Sequence, residues 1–128
     1  MPSRDKKDLM PNLREAYEYA CDTYQSHYPD APQPFLTCTY RSPKEQDELY
    51  AIGRTVKGTK VTNAKGGESK HNFLPSQAFD IAFIGLNKKL DWSPKLFENF
   101  ARIIMKYNSN VKWGGNFKTL KDAPHFEI

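Results

Sequence analysis

Ser69-Lys70-His71-Asn72-Phe73-Leu74-Pro75-Ser76-Gln77-Ala78-Phe79-Asp80-Ile81-Ala82-Phe83-Ile84 decides how the rest of the chain is read. Its second half, Ala78 to Ile84, is a short apolar run with strand character and one carboxylate among apolar neighbours. A buried carboxylate is costly unless a cation or hydrogen-bond donors satisfy it. The first half supplies His71 in a loop context. A second stretch, Trp113-Gly114-Gly115-Asn116-Phe117-Lys118-Thr119-Leu120-Lys121-Asp122-Ala123-Pro124-His125-Phe126-Glu127, repeats the pairing of an aspartate with a histidine. His71, Asp80 and His125 would offer two imidazole nitrogens and one carboxylate oxygen. Three such ligands plus an open fourth position are what a catalytic zinc requires. Asp122, three residues before His125, is then the candidate for the carboxylate that accepts a water's proton and passes it on. The histidines lack the one-helix spacing of a strong zinc signal, and each taken singly reads equally well as an imidazole satisfied by hydrogen bonds. It is the pair of contexts that favours the metal. His27, at the expected end of a helix, is explained by the helix dipole alone.

Outward from these stretches the chain alternates between periodic and broken segments. Leu13, Ala16, Tyr17, Ala20, Cys21 and Tyr24 form one apolar stripe, which predicts a helix from Pro11 to His27. Pro29, Pro32 and Pro34 then make a connector. Residues 35 to 41 alternate as a strand, with Leu36, Cys38 and Tyr40 expected toward the core and Thr37, Thr39 and Arg41 toward a cleft. Ser42-Pro43-Lys44-Glu45 is a capping box, so a helix should run to about Ile52 and stop at Gly53. Residues 54 to 76 read as a long loop, either functional or mobile. Ser93-Pro94 opens a helix to Tyr107 with Phe97, Phe100, Ala101, Ile104 and Tyr107 inward. Short closing strands are expected at 111–113 and 125–128, around a Gly114-Gly115 turn.

With 128 residues the chain is expected to be one domain, burying about two-thirds of the surface that the open chain exposes. The N-terminal residues are charged and lack the apolar run of a signal peptide, and no segment approaches the ~20 apolar residues of a membrane span. A monomer made in the cytoplasm, with no stable membrane insertion, is the expectation. Cys21 and Cys38 are too few for a disulfide framework and are expected as thiols. The net charge of +4 is spread over lysines from Lys6 to Lys121, which could bring the chain to a polyanionic surface. These lysines lie on no single helix, and no nucleic-acid motif accompanies them, so a nucleic-acid partner is not expected.

At the quoted residues the chain resembles the zinc peptidases that include D-alanyl-D-alanine carboxypeptidases, vancomycin-resistance dipeptidases and phage L-alanyl-D-glutamate endolysins. Ser69, His71, Ala78 and Asp80 match the pattern S-x-H-x-x-G-x-A-x-D, and Asp122 and His125 match its terminal acid-x-x-His element. Tyr40 to Thr55 is similar to the segment that carries the family's transition-state arginine, which places that role on Arg41. The motifs span residues 35 to 128. His71 and Asp80 stand nine apart where the pattern has seven, and Ser76 occupies the place of the family glycine, which implies a wider loop before the strand. An aspartate at position 122 is closer to the phage enzymes than to the resistance enzymes.

The resemblance implies an α+β fold with a small antiparallel sheet flanked by helices, of the hedgehog/DD-peptidase-like zinc peptidase kind. It implies zinc held by His71, Asp80 and His125, with Asp122 and Arg41 catalytic. Ser42 and Gln46 are candidates for substrate contact, although Ser42 is already accounted for as a helix cap. The implied substrate is the peptidoglycan stem peptide, cleaved at the L-alanyl-D-glutamate bond by a phage endolysin that acts on the wall after release from the host cytoplasm. Three alternatives stay open: a D-alanyl-D-alanine carboxypeptidase, a non-enzymatic structural domain that keeps the zinc fold, and a basic binding module without metal.

Overall fold

The computed structural model describes residues 1–128. Helix α1 spans Pro11–His27, with proline in its first turn, where a missing N–H costs nothing. Leu13, Ala16, Tyr17, Ala20 and Tyr24 are buried, as one stripe demands, while Cys21 at the stripe's edge is half-buried. Helix α2 spans Pro43–Ala51 and begins with the expected capping box: Ser42 Oγ accepts from Glu45 N at 3.1 Å and Glu45 Oε1 accepts from Ser42 N at 2.9 Å. It stops where Gly53 turns left-handed at φ +80°. Helix α3, Pro94–Tyr107, buries Phe97, Phe100, Ala101 and Ile104. Tyr107 does not turn inward as the stripe suggested. In the last turn of α3 its ring lies past the edge of the core, stacked on Tyr19 of α1 at 4.0 Å, and its hydroxyl donates to Glu15 Oε1.

Four antiparallel strands, β1 (Gln33–Cys38), β2 (Ala78–Ile84), β3 (Lys112–Trp113) and β4 (His125–Glu127), form one sheet in the order β1-β2-β4-β3. Side chains on a strand alternate between the two faces. Phe79, Ile81, Phe83 and Phe126 therefore share one face and join the core beneath α1 and α3. Phe79 packs edge-on to Tyr17 at 5.1 Å and stacks on Phe126 at 5.2 Å. Full burial of each such ring stabilises by about 1.5–3 kcal/mol.

Strand β1 departs from the expected alternation. Leu36 pairs with Ile81 but Cys38 pairs with Asp80, so the register shifts between them. One extra residue in a strand reverses the facing of the residues beyond it. Cys38 thus leaves the core for the opposite face, beside Asp80, while Leu36 stays packed against the core. Both cysteines are free thiols. The strand also ends at Cys38 rather than at Arg41, because Thr39 N donates instead to Ser3 O and Arg41 N to His71 O.

Residues 54–76 are irregular but tied down. Arg54 Nη1 donates to Tyr50 O at 2.7 Å and Thr62 O at 3.0 Å, and Gly66 N donates to Asp47 Oδ1 at 2.7 Å. One short turn, Lys70–Asn72, is capped by Ser69. No helix is long and apolar enough to cross a membrane.

Candidate metal centre

The face of the sheet turned away from the helices carries the chemistry. Asp80 and His125 are direct cross-strand partners on β2 and β4, which brings His125 Nδ1 to 3.1 Å from Asp80 Oδ1. His71 arrives from the turn ahead of β2. Ser69 Oγ accepts from its backbone N at 3.2 Å, and its Nε2 lies 3.2 Å from the same Asp80 oxygen. One carboxylate oxygen therefore sits between two imidazoles whose centroids are 5.1 Å apart.

The far side of each imidazole is held as well. His71 Nδ1 lies 2.8 Å from Thr39 O, and His125 Nε2 lies 2.7 Å from Glu127 Oε1. Such partners fix the ring orientation and the tautomer of a metal-ligating histidine. They leave His71 Nε2 and His125 Nδ1 facing Asp80, whose carboxylate is shared by two groups with metal-ligand spacing, Cys38–His71–Asp80 and Asp80–Asp122–His125; two nitrogens and one oxygen are donors of the kind zinc takes. Ser76, where the family pattern has glycine, is fully buried, with its hydroxyl 2.8 Å from Thr39 O and 2.7 Å from Ala78 O. The wider loop is thereby anchored to the same carbonyl that holds His71.

The charges in this cluster depend on one another. Burial by itself would lower the pKa of His71, but its bonds to Asp80 and Cys38 outweigh burial and push it up to about 10. His125 follows the same balance through Asp80 and Glu127 and reaches about 9. Burial opposes ionisation of Asp80, yet hydrogen bonds from His125 and His71 hold its carboxyl far below the usual carboxylate range.

Asp122 reaches the cleft on a tight turn. Its backbone N donates to Gly114 O at 3.0 Å, and His125 N donates to Asp122 O at 3.0 Å. A side chain at Gly114 would collide with the Asp122 carbonyl oxygen, so only glycine allows this approach. Ligand atoms of Asp80, Asp122 and His125 lie within 4.8 Å of one another. Partial desolvation in the cleft, followed by the nearby Asp80 charge, pushes the Asp122 carboxyl above its ordinary pKa. Arg41 approaches from the other side: Nη2 is 3.6 Å from Asp80 Oδ2, and Nη1 donates to Gln46 Oε1 at 3.0 Å. Its Nε is buried without a partner.

Arg41, His71, Asp80, Asp122 and His125 thus line a single cleft of about 620 Å³, walled by residues 61–70 on one side and 117–122 on the other. Two expected substrate contacts do not reach it. Ser42 spends its hydroxyl on the α2 cap and is not part of the cleft lining. Gln46 is 1% exposed and its amide is fully engaged, accepting from Arg41 and donating to Ala64 O at 2.9 Å, so it braces Arg41 against the cleft wall. Glu127 was missed. Its position two residues after His125 on a strand puts both on one face, and that spacing was available to find it. The Thr39 carbonyl left no trace in the side-chain sequence.

A strand-paired acid between two histidines, with a further acid and an arginine in the same cleft, is the arrangement of a zinc peptidase. The sequence profile of the M15 peptidases, described as D-alanyl-D-alanine carboxypeptidase, matches residues 62–128, and the chain belongs to this family. The peptidoglycan L-alanyl-D-glutamate endopeptidase CwlK of Bacillus subtilis is 38% identical over 100 residues, which cover 73% of this chain. The chain spans 59% of the length of that relative. The crystal structure of the Serratia marcescens L-Ala D-Glu endopeptidase ChiX has a similar fold, with a TM-score of 0.71 at 21% identity over 100% of this chain and 88% of that one. The vancomycin resistance D,D-pentapeptidase VanY, an E175A mutant solved with Zn(II), gives a TM-score of 0.61 at 16% identity over 94% of this chain and 72% of that one.

Proposed function

We propose that this chain is a zinc-dependent peptidoglycan peptidase that cleaves the stem peptide at the L-alanyl-D-glutamate bond. The observation that carries the reading is the Asp80 carboxylate held between two histidines whose other nitrogens are already engaged. The 38% identity to an L-alanyl-D-glutamate endopeptidase supports the choice of bond. His71, Asp80 and His125 would hold the ion. Bound zinc would supply a Lewis acid for the scissile carbonyl and lower the pKa of a water to about 7.

The chain's own groups account for the remaining work. Asp122, beside Asp80 and His125 and with a raised pKa, takes the proton of the attacking water and delivers it to the leaving nitrogen. Arg41 sets positive charge next to the carbonyl oxygen as negative charge develops there. Gln46 keeps that guanidinium in place. Glu127 orients His125 through a charge-assisted hydrogen bond. A use in phage-mediated host lysis fits this reading, since an aspartate rather than a glutamate stands at position 122.

Isolated peptidoglycan treated with the purified protein, with and without chelator, tests the assignment by fragment mass. Fragments ending in L-alanine and beginning with D-glutamate, formed only with metal, are expected. Release of D-alanine alone would make it a carboxypeptidase, and no release by the zinc-loaded protein would overturn hydrolysis altogether. Lysis of outer-membrane-permeabilised cells by added protein checks the lytic role.

A further inference from the structure

Residues 3–10 precede the helix α1 and lie outside the matched stretch 62–128, yet they grip the supports of the metal centre at two points. At the first, Ser3 N donates to Tyr40 O at 2.8 Å and Ser3 O accepts from Thr39 N at 2.7 Å. At the second, Asp8 O accepts from Ser76 N at 2.6 Å and Met10 N donates to Ser76 O at 3.0 Å. Thr39 and Ser76 are both fully buried, and neither lies within one of the four strands. Buried backbone groups need partners, and this segment supplies those that a sheet neighbour would otherwise give.

The two points are joined through the site itself. Ser76 Oγ donates to Thr39 O at 2.8 Å, the same carbonyl that holds His71 Nδ1. The contacts Ser3–Thr39, Thr39–Ser76 and Ser76–Asp8 therefore close a ring. The segment is braced along its own length as well. Asp5 Oδ1 accepts from Lys7 N at 2.8 Å, Asp5 N donates to Ser3 Oγ at 3.1 Å, and Ser3 Oγ donates to Asp8 Oδ2. Leu9, 2% exposed, anchors its far end in the core.

This ring fixes how the chain leaves β1. The strand ends at Cys38, and Ser3 binds the main chain of the next two residues. Arg41 follows directly, its N donating to His71 O at 2.9 Å and its Nη2 lying 3.6 Å from Asp80 Oδ2. We propose that residues 3–10 are a positioning strap for Arg41, which through the main chain of Thr39 and Tyr40 sets where the guanidinium stands in the cleft. The proposal rests on the peptidase reading for the chemistry that Arg41 performs. No residue of the strap lines the cleft, so its effect passes through Arg41 and not through substrate. A group that stabilises charge developing in the transition state acts on kcat, and misplacing it by about 1 Å costs on the order of 10²-fold.

Ser3→Pro tests the strap in zinc-loaded, full-length protein: it removes the N–H that meets Tyr40 O and keeps the carbonyl that meets Thr39 N. On a soluble stem peptide, kcat is expected to fall about tenfold while KM stays within about twofold. Zinc affinity should change less than about threefold, because Ser76 still holds Thr39 O. Ser3→Ala keeps the amide and should recover most of kcat. In an Arg41→Ala background the proline should change kcat by less than about twofold, since the group it positions is gone.

An unchanged kcat in Ser3→Pro, an equal loss with and without Arg41, or a loss of zinc as large as the loss of kcat would overturn the strap. Amide hydrogen exchange of the wild-type protein decides the matter should the proline variant fail to fold. Thr39 and Ser76 amides as protected as those of β2 are expected, and free exchange at Thr39 would overturn the proposal. A wild-type protein that cleaves nothing, but whose Thr39 and Arg41 amides lose protection in Ser3→Pro, would sink the peptidase reading and leave the strap's hold on Arg41 standing. Normal cleavage by Ser3→Pro would do the reverse.

Discussion

The two faces of one sheet divide the work of this protein. Toward α1 and α3, Phe79, Ile81, Phe83 and Phe126 meet only apolar neighbours. On the other face of the same strands, Asp80, His125 and Glu127 are joined to one another and to His71 by hydrogen bonds. Adjacent residues, Phe79 beside Asp80 and His125 beside Phe126, therefore answer to different physics. The packed face gains free energy from buried area, whereas the polar face holds charges whose desolvation is offset by their pairing. The packed face should accordingly set stability, and the polar face metal binding and rate.

The sharpest way to break that division is to cross it. Phe79→Ala removes a ring packed on Tyr17, Phe100 and Phe126, and should cost about 3–5 kcal/mol in urea unfolding, with loss of zinc only through unfolding. Asp122→Ala should do the opposite: stability and zinc content stay near wild type while kcat falls at least ~10²-fold, about 2.7 kcal/mol of barrier. Near-normal turnover in that variant would remove Asp122 from the chemistry, and loss of zinc would make it a ligand instead of a base.

How much of this division was legible depends on how local its causes are. The helices at 11–27, 43–51 and 94–107 follow from stripes, prolines and a capping box, all contained within a few residues. His71, Asp80, Asp122 and His125 were readable because two short motifs carry them, and the fold brings them to one cleft. The facing of Cys38 was not readable, because the register shift after Leu36 arises from pairing with a strand more than forty residues away. Tyr107 was misplaced because a helical stripe states which side a residue is on, not where the core beneath it ends.

Within the polar face, Glu127 offers a finer comparison between holding a metal and holding a proton. Glu127→Ala frees one side of His125 and should weaken zinc about 10- to 100-fold, read by competition with a chelating dye, while Glu127→Gln should recover part of the loss by keeping an acceptor. In chelated protein the two histidines have folded pKa values raised to about 10 and 9. Their contribution to stability is therefore full below the unfolded value of about 6.5 and is lost as pH climbs through the folded values. Asp80, depressed on folding, contributes above about pH 4 and loses that contribution as pH falls further. The melting temperature of chelated protein should hence peak between about pH 4 and 6.5 and fall as pH rises from about 6.5 to 10, a fall that saturating zinc removes because it binds the neutral imidazoles. A flat profile across pH 7–10 in chelated protein would mean that the histidines are not charged by Asp80 and Glu127.

The smallest effect tests where the polar face ends. Ser42 follows Arg41 in sequence, yet its hydroxyl accepts from Glu45 N and its backbone N donates to Glu45 Oε1, both at the start of α2. Ser42→Ala should therefore cost about 1 kcal/mol of stability and leave kcat and KM unchanged. Gln46→Ala, one turn further along, should lower kcat instead, because it releases Arg41 and leaves the half-buried Ala64 carbonyl short of a donor. If Ser42→Ala slowed turnover as much as Gln46→Ala, the cap would belong to the arginine's support, and the catalytic face would extend onto the first turn of the helix.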